Sequence, residues 1–169
     1  KHPLNSVWNV YTELEQNVST NGITDDLITR FDTVESFWGV YDAFGDFTEL
    51  RKGADIYLMK DANKISDQFT KIIMTFDPHQ KEACKKVWED VLLSCLGESI
   101  KETGHIRGLK FSVREKCRVT VFMSHKCIEN DVLAIINDII VKSNIKGASG
   151  INVVYTVTER PGFNSFPLN

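Results

Sequence analysis

The chain has 169 residues, of which 42% are hydrophobic and 25% charged, and a formal net charge of −3 at pH 7. That length suits one domain, residues 1–169, with a core of its own, and the composition sets aside disordered, collagen-like and membrane-spanning classes. The acidic balance argues against a general polyanion binder of the histone type, while leaving room for a local basic site.

His2-Pro3 favours an extended lead-in, and Trp8 to Leu14 (WNVYTEL) reads as a first strand of aromatic and β-branched residues. The polar stretch from Glu15 to Asn21 contains no aromatic residue and ends on Asn21-Gly22, a turn signal. A short segment from Ile23 leads into FDTVESFWGVY, Phe31 to Tyr41, which carries the signature of a helix entry and an amphipathic helix. Asp32 and Thr33 are both good N-caps, Glu35 sits where a carboxylate favours the helix dipole, and Val34, Phe37, Trp38 and Tyr41 fall at i, i+3, i+4 and i+7. Phe37 and Trp38 are neighbours about 100° apart around a helix axis, so one ring must look outward or sit at a seam. Periodicity alone favours a wide apolar stripe with Trp38 partly buried. Gly45 marks the stop.

Asp55 to Lys60 and Thr70 to Phe76 read as strands, with a polar loop from Asp61 to Gln68 between them. A second helix opens on Asp77-Pro78, with Gln80 completing a capping-box-like pair, and closes on Gly97. Its stripe is Cys84, Val87, Trp88, Val91, Leu92, Cys95 and Leu96, and Leu93 falls outside it. Ile106 to Arg114 and Arg118 to Ser124 form an expected hairpin turning at Glu115 to Cys117. Ile128 to Lys142 is a third helix, Ile151 to Thr158 a final strand, and the two prolines after Arg160 suggest an irregular tail to Asn169. Strands too close together for crossovers, interrupted by three amphipathic helices, imply an α+β fold: a mainly antiparallel, curved sheet with the helices on one face. The other face is then available for binding.

Chemistry-bearing residues are sparse. His2, His79, His105 and His125 are scattered, no nucleophile is paired with a base at a recognisable spacing, and no Gly-rich phosphate loop occurs, so neither catalysis nor a cofactor is expected. The four cysteines, Cys84, Cys95, Cys117 and Cys127, lack CxxC or Cys/His spacing and read as reduced core thiols of a cytosolic or nuclear protein, with a zinc site disfavoured. Arg114, Lys116 and Arg118, interleaved with Glu115, weigh evenly between a solvated hairpin tip and a phosphate contact.

HPLNSVW at the start, FDTVESFWGVY, the Lys60-Asp61 pair, WEDVLLSCLGES from Trp88 to Ser99 and VREK from Val113 to Lys116 together resemble the eukaryotic translation initiation factor 4E family, the mRNA cap-binding proteins. The resemblance covers essentially the whole chain and implies an eight-stranded curved sheet backed by three helices. It also implies a convex groove for a partner helix bearing a Tyr-x-x-x-x-Leu-hydrophobic motif. The matching positions are His2, Pro3, Val34, Glu35, Trp38, Asp90, Leu93 and Gly97; Glu89 departs, because the family usually has leucine there, so a variant or more basic partner motif is expected.

On the concave face the resemblance weakens. Of the two tryptophans that sandwich methylguanine in the family, the first aligns with Asn21, and the second lies on a loop that is shorter here, where Phe69 is the only ring and Asp61 and Asp67 the only acids. A third family tryptophan aligns with Phe122, while Arg114, Lys116 and Arg118 match positions that hold cap phosphates. Losing two indoles and the paired carboxylate costs about 4 kcal/mol or more, close to a thousandfold in affinity. The resemblance therefore implies a cytoplasmic protein-interaction domain, monomeric or part of a larger chain, with a degenerate cap pocket, weak RNA contact and no membrane association. The alternative is a divergent cap-binding translation factor in which Phe69, Phe163 or Phe166 replaces a lost ring.

Overall fold

The computed structural model describes residues 1–13, 18–19, 22–23 and 26–169, and the side chains of residues 1–12 and 27–169. In chain order these form β1 (Pro3–Glu13), β2 (Val18–Ser19), β3 (Gly22–Ile23), β4 (Asp26–Thr33), α1 (Val34–Phe44), β5 (Asp55–Lys60), β6 (Thr70–Phe76), α2 (Lys81–Leu96), β7 (Ile106–Ser112), β8 (Arg118–Met123), α3 (Glu129–Ser143), β9 (Ile151–Val157) and β10 (Arg160–Phe166). Eight strands make one curved sheet in the order β10-β9-β6-β8-β7-β5-β1-β4, and every pairing in it is antiparallel. The small β2–β3 pair stands apart from it.

Alternation along each strand decides which face is covered. On β6 residues 70, 72, 74 and 76 are buried while those between are half-exposed. Ile72, Met74 and Phe76 join Ile56, Leu58, Leu109, Phe111, Val119 and Val121 from neighbouring strands beneath the helices. Helix α2 lays its whole predicted stripe, Cys84 to Leu96, into this layer, and α3 adds Val132, Ile135, Ile136 and Ile139. A second, smaller cluster of Tyr57, Met59 and Phe122, flanked by Tyr11, Ile65 and Phe69, occupies the opposite face.

Five expectations are corrected. The first strand begins at Pro3 rather than Trp8, and the segment before α1 is itself strand β4, paired along β1. The tail is not irregular: β10 pairs with β9, and Pro161 is accommodated because β10 is an edge strand whose register slips between Arg160 and Asn164. Thr33 alone caps α1, accepting from the Ser36 N–H at 3.0 Å, because the helix starts at Val34 and leaves Asp32 one residue outside the cap position. The capping box at Asp77 does not form; a 3₁₀ turn, Pro78–Gln80, precedes α2, and the Gln80 amide donates instead to the Ser149 carbonyl at 2.6 Å.

The end of α2 holds a further difference. Gly97 ends the helix with φ −84°, and the left-handed residue is Glu98, φ 53°. Its carboxylate accepts from Asn5 at 2.8 Å and pairs with Lys60 at 3.4 Å, so the ends of α2, β1 and β5 are tied at one point.

Candidate functional site

On the helical face, Phe37 takes the core position and Trp38 sits half-buried at the seam, edge-on to Tyr41 with ring centres 5.5 Å apart. Val34 and Leu93, apolar residues on helices α1 and α2, are 38% and 40% exposed. The start of α1 is clamped by the N-terminal strand. The Val34 N–H donates to the His2 carbonyl at 2.9 Å, the His2 N–H donates to both Glu35 oxygens at 3.1 and 2.9 Å, and Pro3 pairs with Thr33. The His2 ring approaches the same carboxylate at 2.5 Å. These contacts, the His2 N–H first and its ring second, hold the Glu35 carboxyl down to about 2.

On α2, Glu89 accepts from the Tyr41 hydroxyl at 3.4 Å, tying α2 to α1. Burial and then the Glu89 charge push the Tyr41 phenol up to about 12. Asp90, expected on the groove rim, is engaged by the Ser143 hydroxyl of α3 at 3.1 Å and by Lys86 at 2.6 Å. Gly97 is exposed one turn beyond Leu93 and donates its N–H to the Leu93 carbonyl. The structure thus gathers His2, Pro3, Val34 and Glu35 at the entry of α1, with Glu89 joined to that helix through Tyr41.

The opposite hollow is lined by rings that pack on one another. Phe122 stacks on Tyr57, with centres 6.2 Å apart and planes 11° apart, and Phe69 tilts against Phe122 at 5.8 Å. Lys110 lies 5.2 Å over the Tyr57 ring, and Lys71 is paired with Phe122 in register. Of the two acids considered in the shorter loop, Asp61 is occupied as a strand clamp, accepting from the Val7 N–H at 3.1 Å. Asn21 lies outside the described residues.

The basic set divides. Arg114 pairs with Asp55 at 3.2 Å and donates to the Ala54 and Val113 carbonyls, while Lys116 lies 3.4 Å from Asp77. Arg118 makes no ion pair among the described residues, and its parity with Phe122 on β8 turns it toward the hollow. Among the replacement rings, Phe166 packs against the main core under the helices, so it cannot serve the hollow. Phe163 is exposed and lines an open groove of about 310 Å³ with Phe69, Asp67 and Lys71.

The model of the family described as "Eukaryotic initiation factor 4E" matches residues 3–159. The chain belongs to the eukaryotic initiation factor 4E family. Among curated relatives it is 32% identical over 126 residues to eukaryotic translation initiation factor 4E1 of Drosophila melanogaster, covering 69% of this chain and 47% of the relative. It is 27% identical over 124 residues to initiation factor 4E of Homo sapiens, covering 69% of this chain and 57% of the other. The matched part spans about half the length of the curated relatives. Among solved structures, eIF4E-3 of Ascaris suum with m7G cap superposes with a TM-score of 0.80 at 22% identity, covering 98% and 96% of the two chains. C. elegans eIF4E-3 in complex with the 4E-binding protein Mextli and cap analog gives 0.78 at 22% identity, covering 94% and 93%. Both share the eight-stranded initiation factor 4E fold found here.

Sequence reasoning missed Tyr57, Lys71 and Lys110 in the hollow of this family member. The signal was present as two-residue alternation: each lies between core-facing neighbours on its strand, Tyr57 between Ile56 and Leu58, Lys71 before Ile72, Lys110 between Leu109 and Phe111.

Proposed function

We propose that this domain is a protein-docking module of a translation or other RNA-handling assembly. It receives a partner helix with a Tyr-x-x-x-x-Leu-hydrophobic or variant motif on its helical face. The observation that carries this reading is the half-buried Trp38 on a face that also exposes Val34 and Leu93, apolar surface that folding left uncovered. His2, Pro3, Glu35, Glu89, Asp90 and Gly97 border that surface. The C. elegans neighbour was solved with a 4E-binding protein, and a schistosome eIF4E with 4E-BP superposes with a TM-score of 0.79 at 18% identity.

The concave pocket is read as degenerate for methylguanosine cap. Support comes from Phe122 and Tyr57, buried and stacked on one another, and from Asp61, one of whose carboxylate oxygens is taken by the Val7 N–H. The reading includes no catalytic step and places the protein in the cytoplasm; no described helix is long and apolar enough to cross a membrane. Residual RNA contact through Arg118, Lys71 and Lys110 is weak and reads no base, since phosphate contacts attract without specifying.

Titration of a labelled Tyr-x-x-x-x-Leu peptide against the wild-type protein and Trp38→Ala tests the docking role. The wild type binds and the variant loses most of its affinity; equal binding by both removes the proposal. A second reading, a working cap-binding factor, is favoured by one observation: Phe69 and Phe163 line the same open groove beside Asp67. Retention on a methylguanosine-cap column with elution by free cap analogue, abolished in Phe69→Ala, would establish it.

A further inference from the structure

We propose that His105, Cys127 and Asp131 form a zinc site that staples the start of β7 and the β8–α3 loop to the first turn of α3. The three residues are far apart in sequence but converge in space, with one ligand atom from each lying within 4.8 Å of the others. His105 closes the 3₁₀ turn Thr103–His105 ahead of β7, Cys127 lies in the loop after β8, and Asp131 is in the first turn of α3. One residue holds the frame together: the Ser124 N–H donates to the His105 carbonyl at 2.8 Å, and the Ser124 carbonyl accepts from the Cys127 N–H at 3.0 Å.

The donor set selects the metal. One thiolate, one imidazole and one carboxylate suit a borderline-soft dication of tetrahedral habit, whereas Ca²⁺ and Mg²⁺ would want more oxygens. Zinc bonds of roughly 2.0 to 2.3 Å at tetrahedral angles put ligand atoms about 3.3 to 3.7 Å apart. The His105 Nε2 to Asp131 Oδ2 distance, 3.4 Å, already meets that, so closure asks the Cys127 sulfur to move by about 1 Å, within reach of a side-chain rotation.

The surroundings favour a cation. The carboxylates of Asp131, Glu102 and Glu159 act on Cys127 with a negative field that a dication would relieve. The turn that carries His105 also holds Thr103 Oγ1, a buried hydroxyl with no partner among the described residues, the kind of orphan that an ordered ion and its water resolve. Binding releases the Cys127 proton to solvent as the thiolate takes the metal. The imidazole binds in its neutral form, and water fills the fourth position.

The test uses the full chain after chelator treatment. Adding zinc sulfate at about a hundredfold excess over Kd is expected to raise Tm by roughly 5 to 10 °C. Cobalt(II) in its place is expected to give a sulfur-to-cobalt charge-transfer band that disappears in Cys127→Ser while Cys84, Cys95 and Cys117 remain. Should Cys127→Ser fail to fold, His105→Gln, at a partly exposed position, must lower zinc affinity by at least about tenfold. A Tm indifferent to zinc, a cobalt band that survives Cys127→Ser, or unchanged affinity in His105→Gln overturns the site and leaves His105 and Asp131 as an ion pair only.

Discussion

Trp38 and Glu35 show how single residues divide between structure and recognition. Trp38 packs against Tyr41 and still presents part of its indole to solvent, so truncating it should weaken the partner peptide by about 2 kcal/mol or more, roughly thirtyfold in Kd by isothermal calorimetry, with a smaller loss of stability. Glu35 behaves differently because its carboxylate is satisfied within the chain. Its pKa is depressed in the folded state, so the His2–Glu35 clamp contributes above the unfolded value of about 4.3 and is lost as pH falls toward about 2. An NMR titration of the Glu35 side chain should therefore show a midpoint near 2, and His2 amide signals should move with it; a midpoint at the ordinary carboxylate value removes the clamp. Neither behaviour was fully visible in FDTVESFW. The string places Trp38 on the edge of the stripe and Glu35 in the first turn, but the His2 N–H that holds the carboxylate comes from 33 residues away.

At the scale of elements, the helices were legible and the edge strands were not. The stripe of α2 repeats every three to four residues without a gap, which only one secondary structure can bury, and all its members are buried. By contrast, β4 and β10 are the two outermost strands, each paired on one side only, and nearly all of their described side chains are exposed or half-exposed, so neither carries the alternating apolar pattern that marks a strand covered on a face. Their existence follows from neighbours offering free ladder positions, which no local pattern records. The β7–β8 hairpin carries a testable constraint of the same kind. Gly108 lies where the register slips, and a Cβ there would stand 2.4 Å from Met59 Sδ and 3.0 Å from the Leu58 carbonyl. Gly108→Ala should destabilise the fold by about 1–3 kcal/mol in urea titration and disturb the Tyr57–Phe122 stack, since Met59 is fully buried beside it.

For the molecule as a whole, the sheet separates two faces with opposite fates. Helices cover one and leave apolar groups uncovered on their outer surface, while the rings of the other have turned on one another. If phosphate attraction is all that remains in the hollow, capped and uncapped RNA should bind with equal affinity, and log K should fall linearly with log salt, Arg118→Gln reducing that slope by about 1. A preference for capped RNA would instead support the Phe69 and Phe163 groove. The amino-acid sequence by itself determined the class of fold, the three helices with their buried stripes, and the family, because these depend on periodicities and motif spacings written along the chain. Only the tertiary structure decided that Arg114 is consumed by Asp55, that Phe166 belongs to the core, that Lys71 and Lys110 line the hollow, and that His105 meets Cys127 and Asp131. Those outcomes turn on which side chains meet across strands and loops distant in sequence, and a charge or a ring has no fixed role until its neighbours in space have claimed it.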